Sequence, residues 1–362
     1  MSTSTVQAPE ALRTQIEGAL SRLFAERIGI AERYGDEFSR LWRLAGQHIF
    51  GGKLVRPVLF AEMVDALGRD AAQPARLPGR QDVIGIAAAI ELLHYSFLLH
   101  DDVIDGDLVR RHGPNLIGEL FGSHPKAPAQ PALHWGRTGG ILMGDLLLSA
   151  AHQLFARAEL ARDSRLRLLD LLDHTVTESV AGEQTDVALS DGVIAAELPT
   201  IVTMTAQKTA TYSFELPLRA AAVLAGSGAG TERTLARAGQ HLGLAFQLQD
   251  DLLAIFGDPS EHGKDGLSDL REGKQTVIVA HARTTSAWPQ IAPWFGSPQL
   301  TPERAARVRE LLARCGARDH AESLVDEQCA GVRELIAGAP GIPPGAREVL
   351  ATCLARLAGR RS

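Results

Sequence analysis

The stretch ELLHYSFLLHDDVID (residues 91–105) decides the fold, because apolar side chains at three- and four-residue spacing lead into three carboxylates. That spacing predicts an amphipathic α-helix. Residues four apart share a helix face, so Asp101 and Asp105 point the same way. Carboxylates gathered beside apolar residues repel one another unless cations neutralise them. The stretch therefore predicts a buried helix that ends in a site for divalent metal ions.

A second acidic cluster, FQLQDD (residues 246–251), lies inside another apolar stretch. Helical geometry places Gln247 on one face with Asp250 and Asp251. Two such clusters on separate helices indicate a site for several magnesium ions, and several magnesium ions indicate a diphosphate ligand.

Apolar residues recur at helical spacing along most of the chain, and sustained two-residue alternation is hard to find. We predict an all-α fold in a single domain. The clearest predicted helices are Ala11–Tyr34, Val83–Asp105, Thr138–Ala161, Ser164–Val180, Leu235–Phe256 and Pro302–Cys315. Polar or Pro-rich composition predicts loops at residues 68–82, 122–133 and 257–275, and the last of these is a candidate lid beside the second acidic cluster.

Composition excludes several classes of protein. The 362 residues are 45% hydrophobic and 22% charged, with a net charge of −6, so no bulk basic field attracts nucleic acid. The three cysteines lack metal-ligand or redox spacing, which fits a reducing cytosol. The N-terminus lacks the pattern of a signal peptide. The longest apolar stretch, Val83–Leu99, contains a glutamate and a histidine. We therefore expect a cytoplasmic protein without a transmembrane segment.

The segment GGKLVRP (residues 51–57) combines a glycine pair, two cations and a proline at the predicted start of a helix. Lys53 and Arg56 are three residues apart and share a face there, which favours an anion. The alternative is a solvated turn before an ordinary helix.

Basic residues also flank the first acidic cluster. Arg110 and Arg111 follow it by five residues and can clamp phosphate oxygens. His94 lies two turns before Asp101 on the same face and can donate to a phosphate oxygen. Phe97 lies one turn before Asp101, so its ring should project beneath a bound ligand. Each residue has an ordinary alternative role. The arginine pair can be a solvated loop cluster, His94 a structural partner and Phe97 a residue that only packs in the core.

Two further segments carry cations. Lys208 and Thr209 lie in a predicted helical segment, where the lysine can reach a phosphate and the threonine oxygen can face a developing cation. The polar segment after the second cluster contains Lys264, Asp269 and Lys274. Taken alone, Lys208 is an ordinary surface lysine, and the polar segment after the second cluster is a hydrophilic connection.

Together these features resemble the trans-isoprenyl diphosphate synthase family, also called polyprenyl synthetases. The matching segments are GGKLVRP, ELLHYSFLLHDDVIDGDLVRR, MGDLLLSAA, KTA, FQLQDD and GKDGLSDLREGKQT, in that order from residue 51 to 276. Residues 1–45 and 280–362 match only as helices. The resemblance implies an all-α fold around a central cavity, with the two aspartate-rich helices facing each other across it. It also implies a homodimer and three Mg²⁺ ions.

The resemblance implies a role for each matching residue. The implied metal-binding residues are Asp101, Asp102, Asp105, Asp250, Asp251 and Asp269, and Asp269 would bind through metal-bound water. Contacts with an allylic diphosphate fall to Arg110, Lys208, Lys264 and Lys274. Contacts with isopentenyl diphosphate fall to Lys53, Arg56, His94 and Arg111. Catalytic stabilisation of the allylic cation falls to Thr209 and Gln247, beside Lys208.

The implied activity is head-to-tail prenyl transfer. In this family the residues four and five before the first aspartate shape the floor of the product tunnel, and here they are Phe97 and Ser96. A bulky residue beside a small one favours geranylgeranyl diphosphate, with farnesyl diphosphate next and longer chains third. One departure is Ala254, where the family often carries an aspartate, so one possible outer metal ligand is missing.

Two rival functions stay open at this point. A class I terpene cyclase shares the helical fold and an aspartate cluster, but it does not need a site for isopentenyl diphosphate. A catalytically silent partner subunit would be expected to lose aspartates from the first cluster, and this chain keeps them all.

Overall fold

The computed structural model describes residues 7–69, 78–110, 113–257, 268–339 and 341–359, and it confirms the predicted all-α fold. The α-helices of these residues are α1 (Gln7–Ala31), α2 (Asp36–His48), α3 (Val55–Arg69), α4 (Arg80–Asp105), α5 (Leu116–Gly122), α6 (Ala129–Arg157), α7 (Arg162–Ser190), α8 (Leu198–Thr205), α9 (Leu216–Leu224), α10 (Ala229–Phe256), α11 (Ser268–Glu272), α12 (Val277–Arg283), α13 (Trp288–Ile291), α14 (Pro302–Arg314), α15 (Ala317–Gly338) and α16 (Pro344–Ala358). The other elements are a 3₁₀ turn (Glu32–Tyr34), a π-helix (Ala206–Glu215) and two short antiparallel strands, β1 (Val109–Arg110) and β2 (Gly113–Pro114).

The chain divides into two compact units. The first contains the residues up to Asp170 and the short segment Val223–Gly226. The second contains Leu171–Ala222 and the residues from Ser227 onward. The single domain predicted from the sequence stays a prediction.

Helix α4 forms the centre of the first unit, where it packs against α1, α3 and α6. Its apolar residues at helical spacing, such as Ile86, Ile90 and Leu93, are almost completely buried. The helix is long and apolar enough to cross a membrane, but 72% of its most apolar window is buried within the protein. That burial is typical of the core helix of a soluble protein. Gly106 ends α4 with a positive φ of 76° and donates its N–H to the carbonyl of Asp102.

Helix α10 has the corresponding place in the second unit. It packs against the π-helix on one side and against α15 on another. Near its C-terminal end, Ile255 joins a hydrophobic cluster with residues of α11, α12 and α14, including Leu270, Ile278 and Leu312. This packing holds the end of the helix that carries the second acidic cluster.

The predicted bounds of the three loops are partly wrong, because helices extend into each of them. The predicted loop 122–133 is shorter, because α6 already begins at Ala129 and tolerates Pro131 in its first turn. In the predicted loop 257–275, residues 268–272 form α11, and residues 258–267 lie outside the described residues. In the predicted loop 68–82, α3 extends to Arg69 and α4 begins at Arg80, while residues 70–77 are also outside them.

Candidate active site

The first aspartate cluster occupies the last turn of α4. The side chain of Asp101 is 25% exposed, and Asp105, one turn later on the same face, is exposed. Asp102 lies between them in sequence and is only 2% exposed. The first and third carboxylates thus point toward solvent while the second points inward. Oxygen ligands of this kind are those that Mg²⁺ prefers, so Asp101 and Asp105 fit a magnesium ion.

The buried carboxylate of Asp102 pairs with Arg110, which donates its Nε–H across 3.1 Å and a second N–H to the same oxygen. Burial raises the pKa of Asp102 to about 6, although the attraction of Arg110 works against that rise. Burial also disfavours the charge of Arg110, but the attraction of Asp102 outweighs it and raises the arginine pKa. Both groups are therefore ionised at neutral pH. The pair fixes the guanidinium beside Asp101, whose carboxylate oxygen lies 3.7 Å from Arg110.

The segment that follows α4 has a defined backbone conformation. Arg110 lies opposite Gly113 in the β1–β2 ladder. Asn115 caps α5 by accepting from the N–H of Gly118 at 2.8 Å, and its Nδ2 donates to the carbonyl of Asp107 at 2.8 Å. These bonds position Arg110. Its predicted neighbour Arg111 lies outside the described residues, as does Lys264.

A cavity of about 350 Å³ lies beside this cluster in the first unit. His94, Asp102 and Arg110 line it, together with polar residues such as Asn115 and Glu119. The cavity thus brings the predicted phosphate donors His94 and Arg110 together in one concave site. The described residues that line it do not include Lys53 or Arg56, which the sequence also predicts to contact a diphosphate.

Helix α3 begins at Val55, so Arg56 lies in its first turn and Lys53 lies two residues before it. Helical spacing therefore does not apply to Lys53, and the helix face predicted for the two cations stays a prediction. Lys53 is exposed and Arg56 is half-buried. The connection before the helix has a positive φ at Gly51 (81°) and at Leu54 (49°). A non-glycine residue in this region carries strain of ~1–2 kcal/mol, and here burial of the leucine side chain, which is 4% exposed, holds the strained conformation.

The two residues of the predicted tunnel floor differ in environment. Ser96 is completely buried, and its hydroxyl donates to the carbonyl of Gly144 on α6 at 2.8 Å. Phe97 is half-buried, one turn before Asp101. The serine is therefore committed to helix packing, which leaves Phe97 as the residue of the two that can meet a ligand.

In the second unit, the predicted catalytic residues Lys208 and Thr209 lie in the π-helix. The lysine ammonium contacts two carboxylates of α7, Asp186 at 2.7 Å and Glu183 at 2.9 Å. A π-helix is wider than an α-helix, and such segments often occur at functional sites. The predicted helical segment is thus a π-helix that presents a paired lysine.

A chain of polar contacts joins the π-helix to the second aspartate cluster. The Thr209 hydroxyl donates to Oε1 of Gln247 at 3.1 Å, and Nε2 of Gln247 donates to Asp251 at 3.0 Å. Lys274 lies 3.4 Å from the same oxygen of Asp251 and 3.9 Å from Asp269. Five predicted site residues are thereby brought together. Asp250, the neighbour of Asp251, is half-buried, and so is Ala254 one turn later.

The charges of this chain influence one another. Burial is the main cause of the raised pKa of Asp251, and the attraction of Lys274 acts against it. Burial also disfavours the charge of Lys274, but the attraction of Asp251, Asp269 and Asp186 outweighs it, so the lysine pKa is raised. Lys274 therefore stays protonated at neutral pH and holds the carboxylates around it.

Three glycines make room for the π-helix. A Cβ atom on Gly243 of α10 would lie 2.4 Å from the Cα of Ala210, and one on Gly239 would lie 2.6 Å from the Cα of Glu215. On α7, a Cβ on Gly182 would lie 2.3 Å from the backbone nitrogen of Lys208. The backbones of α7 and α10 thus approach the π-helix so closely that only glycine fits at these positions.

Sequence reasoning missed the two carboxylates that bind Lys208. Glu183 and Asp186 are three residues apart and so share a face of α7, and Asp186 is only 7% exposed. A carboxylate pair at this spacing after a glycine, within a helical segment, is the signal that was available. The structure adds them to the candidate site because they position the ammonium group of Lys208.

Comparison with known proteins gives the family. The family model described as polyprenyl synthetase matches residues 40–311. The chain belongs to this family. It is therefore an enzyme of the prenyl-transferring class, as predicted.

Individual relatives are prenyl diphosphate synthases. This polyprenyl synthetase is 28% identical over 83% of its length to the geranylfarnesyl diphosphate synthase of Aeropyrum pernix, of which it covers 87%. It is 32% identical over 74% of its length to the (2E,6E)-farnesyl diphosphate synthase of Mycobacterium tuberculosis, of which it covers 68%. A crystal structure of geranylgeranyl pyrophosphate synthase from Corynebacterium glutamicum, complexed with isoprenyl diphosphate and magnesium, has a TM-score of 0.86. The identity there is 28%, and 98% of each chain is covered.

Proposed function

We propose that this polyprenyl synthetase condenses isopentenyl diphosphate with an allylic diphosphate in a Mg²⁺-dependent, head-to-tail reaction, with geranylgeranyl diphosphate as its main product. The observation that carries the proposal is that each aspartate motif is paired with a predicted phosphate-binding cation, Asp102 with Arg110 and Asp251 with Lys274. The similarity to enzymes named for products of fifteen to twenty-five carbons supports a short-chain product.

The carboxylates support the proposed metal requirement. Asp101 and Asp105 of the first motif and Asp250 of the second would hold the ions, and three ions are proposed in total. When bound, magnesium supplies positive charge that stabilises the departing diphosphate. Within the first motif, the direct ligands would be the two solvent-facing aspartates of α4, while Asp102 contributes by holding Arg110.

The cationic side chains stabilise the same developing charge. The family resemblance assigns contacts with the leaving diphosphate to Lys208, Arg110 and Lys274, and such cations would neutralise its oxygens as the carbon–oxygen bond breaks. Since each of the three is already held by carboxylates, it needs little reorganisation when the charge develops. Fixed cations of this kind lower the barrier to ionisation more than mobile ones do.

Thr209 and Gln247 would stabilise the allylic cation. Because the glutamine amide donates to Asp251, its oxygen faces Thr209 and accepts a hydrogen bond from the threonine hydroxyl. The threonine oxygen keeps its lone pairs for the cation. The double bond of isopentenyl diphosphate would then attack, and the released diphosphate would take the proton that is lost.

The apolar surface of α6 supports the proposed homodimer. Trp135, Ile141 and Leu142 lie on this helix with exposed fractions of 38%, 45% and 51%. Exposed large apolar side chains on one helix are typical of a protein interface.

A cytoplasmic location is part of the same proposal, since the long apolar helix α4 is a core element.

We expect purified protein to make geranylgeranyl diphosphate from isopentenyl diphosphate and an allylic primer when Mg²⁺ is present. Allylic diphosphates of five, ten and fifteen carbons are supplied in turn, and product length is read by mass spectrometry. Chelation of Mg²⁺ should abolish turnover, because the carboxylate motifs then repel the diphosphate. Formation of hydrocarbon or alcohol from the allylic primer alone would instead identify a terpene cyclase. An inactive pure chain that gains activity with another subunit would identify a silent partner.

Phe97→Ala should lengthen the product. The ring lies one turn before Asp101, and its neighbour Ser96 is bound to Gly144, so Phe97 is the residue that can limit chain growth. The product distributions of the variant and the wild type are compared by mass spectrometry with the same primer. Phe38→Ala, which removes another half-buried phenylalanine from α2, is the control and should leave chain length unchanged. An unaltered distribution in the Phe97 variant would remove its proposed role.

A further inference from the structure

The N-terminal helix α1 binds the backbone of the segment that carries Lys53. Arg13 donates from Nη1 to the carbonyl of Gly52 at 3.0 Å and from Nη2 to the carbonyl of Lys53 at 2.7 Å. The two acceptors belong to consecutive peptide groups. The guanidinium of Arg13, which lies about forty residues earlier in the chain, thus holds both peptide groups in place.

Helix α1 is a rigid support for this contact. Its residues Leu12, Ile16, Leu20 and Phe24 follow one another at four-residue spacing, and each is at most 4% exposed. The helix packs against α2, α3 and α4. Since Arg13 directly follows the first residue of this buried stripe, its position is fixed by the packing of the whole helix.

The contact determines which way the two peptide groups face. The described part of the chain contains no cis peptide bond, and in a trans peptide the N–H points opposite to the carbonyl. With both carbonyls turned toward Arg13, the N–H groups of Lys53 and Leu54 point to the other side of the segment. Consecutive N–H groups beside a residue of positive φ, as at Leu54, form an anion-binding concavity.

We propose that Arg13 is a positioning residue for isopentenyl diphosphate: it holds the Gly51–Leu54 segment so that two backbone N–H groups and Lys53 meet the diphosphate. This inference rests on the proposed function, because the family resemblance behind that function assigns isopentenyl diphosphate to Lys53 and Arg56. Arg13 itself contacts carbonyl oxygens and does not touch the substrate. The N-terminal helix thereby gains a role in substrate affinity.

The test is a kinetic comparison of wild type, Arg13→Ala and Arg13→Lys. For Arg13→Ala, KM for isopentenyl diphosphate should rise about tenfold, as expected when two charge-assisted hydrogen bonds are lost. The KM for the allylic primer and kcat at saturating substrate should stay within about twofold, because the positioned segment does not contact the leaving group. Arg13→Lys keeps the charge but lacks the fork, so its KM should lie between the two.

Arg80→Ala is the matched control. Arg80 also contacts α1, through Gln15 at 3.0 Å, and it pairs with Asp65, but it does not contact the Gly51–Leu54 segment. Its loss should leave both KM values unchanged. An unaltered KM for isopentenyl diphosphate in Arg13→Ala, or a parallel rise of both KM values, would overturn the inference.

A second measurement is independent of turnover. Hydrogen–deuterium exchange of the amides of residues 52–55 should be faster in Arg13→Ala than in wild type, and unchanged in Arg80→Ala. Calorimetry with isopentenyl diphosphate then separates the two hypotheses. Wild-type protein that binds isopentenyl diphosphate more tightly than Arg13→Ala does, yet shows no prenyl transfer, would contradict the proposed function alone. Wild-type turnover with exchange and KM unaffected by Arg13→Ala would contradict the inference alone.

Discussion

Replacing Asp101 by alanine will lower kcat at least ~10²-fold, the loss typical of removing one preorganised charge stabiliser. The side chain lies beside the partly buried Asp102–Arg110 pair, on the same helix face as Asp105. Alanine would remove a proposed magnesium ligand and leave the positive charge of Arg110 less balanced. Turnover with saturating substrates and Mg²⁺ is the measurement.

The variant Asp101→Asn separates charge from shape. The amide fills the same space but binds Mg²⁺ more weakly than a carboxylate, so kcat should fall almost as far as in Asp101→Ala. Asp173→Ala removes an exposed carboxylate from the middle of α7 and should leave kcat unchanged. Raising the Mg²⁺ concentration should partly restore Asp101→Asn. A near wild-type rate in Asp101→Ala would contradict the metal role of this residue.

The central helices could be predicted from the sequence because the spacing of apolar residues within each helix indicates which face is buried. In α4 the apolar residues repeat at three- and four-residue spacing up to Asp101, and the carboxylates stand out against that background. The same reasoning predicted α10 and the grouping of Gln247 with Asp251. Local spacing is sufficient here, since both the helix and its polar face arise within one short stretch of chain.

The π-helix and the partners of Lys208 could not be predicted in this way. Helical spacing does not distinguish an α-helical from a π-helical turn, and the close approach to the π-helix depends on glycines from two other helices. Similarly, Asp186 becomes a candidate site residue only because it contacts Lys208, which lies 22 residues later in the chain. Local spacing does not indicate that contact. The start of α6 was missed for a different reason, since a proline and alanine-rich composition resembles a loop although Pro131 is acceptable in a first turn.

Gly243→Ala should be among the most damaging substitutions outside the charged residues. The added methyl group would lie 2.4 Å from both the Cα and the Cβ of Ala210, so the π-helix must move away from α10. Thr209 precedes Ala210 and donates to Gln247, one turn after Gly243, so this movement breaks the contact that orients both catalytic side chains. A displacement of ~1 Å can reduce kcat about 10²-fold. Overpacking should also lower the free energy of unfolding by ~1–3 kcal/mol.

Steady-state kinetics and thermal unfolding of the same preparations separate these two effects. Gly230→Ala is the matched control, because Gly230 lies in the same helix with no atom within 4 Å of its added Cβ, and it should keep full activity. The double variant Ala210→Gly/Gly243→Ala removes the contact between the two methyl groups but keeps the contact with the Cα of residue 210. It should therefore recover only part of the stability and of kcat, a coupling that unrelated sites would not show. Full activity of Gly243→Ala at unchanged stability would mean that the π-helix tolerates displacement, and that Thr209 does not need its bond to Gln247.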